Sequence, residues 1–209
     1  MSALSDEELA ALLADGESQL VERKPSATDG QGIRRNICAF ANDLPNYQRP
    51  GVIFVGVHDD GRCANLSVDD RLLQVLAQMA SDGNILPPPT LSIEKRSIAN
   101  CTLAVVVVTP AAAPPVRYRS RVYVKVGPTT RTATEDEERR LVERRRSGDR
   151  PFDMCPAPGA SVEALDQDYI RTQYLPRAVA LEVLEQNHRH FPQQLRSLRL
   201  LVDDTPTHG

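Results

Sequence analysis

The 209-residue chain has no tryptophan, and aromatic residues make up only 4% of it. A core must therefore rest on Val, Leu, Ile and Ala. Excess positive charge is also missing. Against 28 Asp and Glu stand 25 Lys and Arg, a formal net charge of −3. That excludes a uniformly basic nucleic-acid binder, so any polyanion contact has to come from a local basic face. There is no glycine-rich Walker loop, which leaves ATP hydrolysis without support, and no HExxH, GxSxG or CxxC. The four cysteines, Cys38, Cys63, Cys101 and Cys155, lack zinc-finger spacing and read as reduced thiols. The longest apolar run, LAVVVVTPAAAPP, is too short and too proline-broken to span a bilayer. The acidic N-terminus has no signal-peptide layout. These absences lead to the expectation of a cytoplasmic protein without a membrane segment.

Periodicity supplies the elements. Ser5 and Glu8 form a capping-box pair before Leu9, Leu12 and Leu13, and Gly16 stops that helix. QLVERK alternates as a short strand, with Leu20, Glu22 and Lys24 on one face and Val21 and Arg23 on the other. A second helix is expected over residues 31–43, with Ile33, Ile37 and Phe40 on one side. GVIFVGVHDDG is apolar enough to be a central strand, ending in an Asp60-Gly61 turn. Residues 69–81 read as a helix, PPPTLSIEKRSI as an edge strand and CTLAVVVVTP as a buried one. RYRSRVYVKVG reads as one further strand, and TATEDEERRLVERRR as a salt-bridged helix. From about residue 151 the texture turns to loop, with helical patches around VEALDQDYIRTQYL and ALEVLEQNHRHF. The expectation is an α+β domain over residues 1–150, a mixed β-sheet with packed helices, followed over 151–209 by a small helical extension or the start of a further domain.

Two groups of residues could carry chemistry. Glu17, Glu22 and Asp59 are carboxylates near strand ends, where rigid backbone meets solvent. Such oxygens suit a hard cation, Mg²⁺ or Mn²⁺, which can activate a water and stabilise charge on phosphate. Lys24 would share the face of Glu22 and neutralise a phosphate oxygen. The second group is Arg117, Arg119, Arg121, Tyr123 and Lys125. In one continuous strand these alternate onto a single face, four cations and an aromatic, suited to a phosphate backbone with Tyr123 stacking on a base.

The strings that carry these residues resemble a known family. ESQLVERK, ICAFAND, VIFVGVHDDG and PPVRYRSRVYVKVGPTTRTATEDEERRL follow one another as in the Schlafen-type AlbA domain. FDMCPAPGASVEALD is similar to the segment that follows in bacterial members. The resemblance implies a nucleic-acid-binding domain. In the nucleases of the family it implies metal-dependent cleavage of structured RNA such as tRNA, with RNA ahead of DNA as partner. Matched residue by residue, the metal-binding and catalytic acids are Glu17, Glu22 and Asp59, with Asp60 the alternative third acid. Lys24 matches the motif lysine and Asn42 the last residue of its AFAN. Arg23 stands where the family has an aromatic, and of a double glycine before the central strand only Gly51 remains. The alternative implied by the family is a noncatalytic DNA- or RNA-binding module of a transcriptional regulator.

Overall fold

The computed structural model describes residues 4–148, 152–180, 182–183 and 189–208. The chain divides into two compact units, Met1–Gly148 and Asp149–Gly209. The first is α+β. Helix α1 (Asp6–Asp15) starts on the expected reciprocal cap: Ser5 Oγ accepts from Glu8 N–H, and the Glu8 carboxylate accepts from Ser5 N–H. Strand β1 (Val21–Lys24) runs parallel to β2 (Gly51–Val55). β2 pairs antiparallel with β5 (Cys101–Val108), which pairs with β4 (Leu91–Ile98). This mixed sheet has the order β1-β2-β5-β4. The most apolar strands thus take the centre, and the charged LSIEKRSI takes an edge, where charge discourages further pairing.

A second, antiparallel sheet has the order β3-β6-β7-β8. It contains β3 (Ile85–Leu86), β6 (Arg117–Tyr118), β7 (Arg121–Val126) and β8 (Thr129–Thr132). RYRSRVYVKVG is therefore a hairpin rather than one strand. Arg119 and Ser120 both have positive φ, +48° and +65°, and Tyr118 pairs with Arg121 across them. Two consecutive left-handed residues are the tight turn that matches strand twist.

Helix α2 (Gly30–Asn42) lies between the two sheets. Ile33, Ile37, Cys38, Ala39, Phe40 and Ala41 pack with Ile53, Val55, Val106 and Val108 of the first sheet and with Tyr118 and Tyr123 of the second and Val116 just before it. Burying each large side chain contributes roughly 1.5–3 kcal/mol. Burial on two sides explains why the helix carries small residues. Gly51 is required for the same reason: a Cβ there would lie 2.2 Å from Phe40 Cγ. Asn42 is fully buried and closes the arrangement. Its amide donates to the carbonyls of Val116 (3.0 Å) and Tyr123 (2.8 Å), and its oxygen accepts from Val116 N–H (2.7 Å). Arg144 donates to the carbonyls of Asn42 and Asp43, placing a cation at the C-terminus of α2.

Helix α3 (Asp70–Ser81) adds Leu76 and Met79 to the core around α2. Helix α1 covers the other face of the first sheet through Leu9, Leu13, Val21, Phe54, Leu103 and Val105. Helix α4 (Glu135–Gly148) covers the other face of the second through Leu141 against Val122 and Val124.

The expectation of four reduced thiols is corrected. Cys63 and Cys101 form a disulfide, with Cα atoms 5.6 Å apart. The chain doubles back after β2, Val57 bridges Cys63, and Cys63 arrives beside the start of β5. Cys38 remains a thiol, and burial pushes its pKa up to about 11. No helix of the described residues is long and apolar enough to cross a membrane.

The second unit has a small core of Leu175, Phe191, Leu195 and Leu201. Helical turns run from 167 to 178, with a π-helical stretch at Ile170–Tyr174, and a helix spans Phe191–Ser197. Beside these helical turns, Leu201–Val202 and Thr205–Pro206 form a small antiparallel hairpin. Half of the expected helical patch ALEVLEQNHRHF, residues 181 and 184–188, lies outside the described residues.

Candidate nucleic-acid interface

The acids come first. Period-two geometry puts Glu22 and Lys24 on the α2 side of β1, and Arg23 on the α1 side. Glu22 is 6% exposed. Its two oxygens are occupied separately: Oε1 accepts from Lys24 Nζ at 2.6 Å, and Oε2 from Lys125 Nζ at 2.5 Å. Glu17 is half-buried, and its Oε1 accepts from the backbone N–H of Arg23 at 3.3 Å. Burial opposes the charge on Lys24. The bond to Glu22 and the charges of Glu22, Glu17 and Asp29 outweigh it and hold its pKa above the usual lysine value. Two of the three expected acids therefore gather at Lys24.

Asp59 lies elsewhere. It is exposed, in the turn His58–Arg62. The turn is held by the Arg23 guanidinium, which donates to the carbonyls of Asp59 (2.8 Å) and Leu13. Arg23 is buried, and its Nε has no hydrogen-bond partner. The residue that replaces the family's aromatic thus ties this turn to the end of α1, on the side of the sheet opposite Glu22. Asp60 pairs with Arg62 at 2.6 Å. Among the described residues no group of three His, Cys, Asp or Glu side chains is placed to hold a metal ion. The donors expected for Mg²⁺ or Mn²⁺ do not fit one: a hard cation needs carboxylate oxygens at about 2.0–2.6 Å, and those of Glu22 are taken by ammonium groups.

The basic row is also rearranged. Arg121, Tyr123 and Lys125 do share a face of β7, but that face points to α2. Lys125 is 1% exposed and Tyr123 is 8% exposed, so neither is open to nucleic acid, and Tyr123 has no free face for a base. The turn at 119–120 places Arg117 opposite Val122, on the α4 side. There it pairs with Glu138 at 3.0 Å. On the same side Arg131 makes two bonds of 2.8 Å to Glu137. Those bonds, with the N–H of Thr134 assisting against burial, lower the Glu137 pKa to about 2.

What remains exposed on the α2 side is a different basic set. Arg35 of α2 lies over the Tyr123 ring at 5.5 Å, and Arg119 lies over the Tyr118 ring at 5.4 Å. The two rings are 6.1 Å apart. Arg119 also reaches Asn84 Oδ1 at 3.4 Å. Arg121, directly opposite Tyr118, completes the group. Among the described residues none of Arg35, Arg119 and Arg121 is paired with a carboxylate. The buried tyrosines lie beneath the guanidiniums of Arg35 and Arg119, which as residues stay exposed. Arg35 was not expected from sequence; nothing in the Arg34-Arg35 pair distinguishes the arginine bonded to Asp82 (Arg34) from the one that is not.

The sequence matches the family described as Schlafen, AlbA_2 over residues 17–134, more than half of the chain. The chain belongs to the Schlafen AlbA_2 family. The match takes in the acids, Lys24, Asn42 and the whole β6–β7–β8 sheet. No curated protein matches this AlbA_2 chain. Among the solved structures that resemble it are these two. One is a crystal structure of a Corynebacterium diphtheriae protein, 16% identical with a TM-score of 0.46, covering 96% of this chain and 42% of that one. The other is the solution structure of the N-terminal domain of a RecG-related ATP-dependent DNA helicase protein from Nitrosomonas europaea, 22% identical with a TM-score of 0.41, covering 52% of this chain and 75% of that one. The AlbA_2 chain thus spans less than half the length of the first. Both likenesses are too remote to bear on activity.

Proposed function

We propose that this Schlafen AlbA_2 chain is a noncatalytic nucleic-acid-binding module that grips the phosphate backbone, with structured RNA as its first ligand class and duplex DNA as its second. The observation that carries the reading is the Arg35–Arg119–Arg121 set: three exposed guanidiniums, two of them braced on buried tyrosines, without carboxylate partners among the described residues. Holding such cations together without counter-anions is unfavourable, and a polyanion relieves it. With Tyr118 and Tyr123 buried, base stacking has no platform here. Recognition should therefore be insensitive to sequence and sensitive to salt.

A metal-dependent endoribonuclease built on Glu17, Glu22 and Asp59 would need those acids at one point, and their arrangement does not favour it. The test is an electrophoretic shift and anisotropy series with total tRNA and with duplex DNA. If three phosphates are contacted on DNA, affinity should drop about 40-fold between 50 and 200 mM salt. Arg119→Ala/Arg121→Ala should weaken binding alike across sequences; unchanged affinity would refute this surface. Adding Mn²⁺ to the tRNA reactions covers the nuclease. Cleavage that disappears in Glu22→Ala would replace the present reading with the enzymatic one.

A further inference from the structure

Glu22 stands where the two sheets of the first unit meet, since β1 belongs to one and β7 to the other. The ammonium of Lys125 crosses that junction. It donates to Glu22 Oε2 at 2.5 Å and to the Pro128 carbonyl at 3.0 Å, and lies 5.5 Å from the centre of the Phe40 ring. Gln19 fastens the same end of β7 from the β1 side. Its amide donates to the Lys125 carbonyl, and its oxygen accepts from Gly127 N–H at 2.7 Å. The remaining Glu22 oxygen is held by Lys24. A buried carboxylate needs compensating charge, and two ammoniums supply it.

We infer that the Lys125 ammonium is the resident cation of the Glu22 site: it takes the role a divalent ion would have there and ties β1 to β7, so that this domain folds without metal. A divalent ion at Glu22 would have to displace one ammonium and sit against the other, inside a region that screens the repulsion poorly. The inference goes beyond the nucleic-acid reading and stands or falls separately, because its test involves no nucleic acid.

The test uses the whole chain and Mn²⁺ alone. Electron paramagnetic resonance during Mn²⁺ titration should show only free ion, and the melting temperature should be the same in EDTA and in Mn²⁺. Glu22→Gln and Lys125→Met should each lower Tm by roughly 10 °C. The double variant should fall no further than either single one, because each single change already breaks the Glu22–Lys125 ion pair and leaves the other charge short of its partner. Should those variants not fold, Lys24→Met, at the more exposed edge of the site, should still exclude Mn²⁺. One equivalent of Mn²⁺ bound by the wild type and lost in Glu22→Gln, or bound by Lys24→Met, would overturn the inference. So would additive losses in the double variant.

Discussion

The two faces of the β6–β7–β8 sheet use arginine in opposite ways. On the α4 face, Arg117 and Arg131 are bonded to Glu138 and Glu137, carboxylates in the first turns of the helix that covers them. On the α2 face, Arg119 and Arg35 have tyrosine rings beneath them, and Arg121 has neither ring nor acid among the described residues. The first pattern spends its charges on docking a helix. The second holds charges in place but leaves them electrostatically unanswered. An arginine's place in the sequence does not tell these apart; its neighbours in space do. Arg117 and Arg119 are two residues apart and belong to different faces, because Arg117 is in the strand and Arg119 is in the two-residue turn.

The comparison can be broken or sharpened by substitution. The largest effect is expected from Asn42→Leu, which holds the sheet against α2. It leaves the Val116 N–H and the Tyr123 carbonyl without the partner Asn42 supplied, and the Val116 carbonyl with only the Cys38 thiol, at a cost of about 3 kcal/mol. Urea unfolding should show this, with both faces lost together. Next comes the disulfide. Reducing Cys63–Cys101, which spans 38 residues, should cost about 2–4 kcal/mol. Because it staples the first sheet, stability should fall while affinity for tRNA stays the same. Smaller again is the acid response of the α4 face. Glu137 titrates near 4.5 unfolded and near 2 folded. Its contribution is therefore complete above pH 4.5 and lost as the pH falls through about 2. Wild type should lose more of its melting temperature than Glu137→Gln over that interval. Smallest is Arg121→Ala, expected to change stability by about 0.5 kcal/mol or less.

Local signals were legible where they were self-contained. The Ser5–Glu8 box, the apolar central strands and the charged edge strand all appear as expected. The hairpin was missed because Arg119-Ser120 lacks the Asn-Gly or Asp-Gly signature of its turn, so alternation was read straight through it. Where Asp59 falls was not legible for a related reason. Period two separates Glu22 from Arg23, but which face receives Asp59 depends on where the Arg23 guanidinium ends, and sequence spacing does not encode that. Lys125 looked like surface because lysines are seldom buried; a carboxylate 103 residues away makes it an exception. Asn42 was found by its motif, though its three bonds to the hairpin sheet required the fold. The Cys63–Cys101 pair had no local signature at all.

The most direct test sets one double variant from each face side by side: Arg119→Ala/Arg121→Ala against Arg117→Ala/Arg131→Ala, each measured for tRNA affinity at low salt and for melting temperature. The first pair should lose affinity and flatten the salt dependence by about two phosphate contacts while melting like wild type. The second should melt earlier and bind like wild type. Equal losses of affinity from both pairs, or a loss from the second pair alone, would contradict the division of the sheet into a binding face and a docking face.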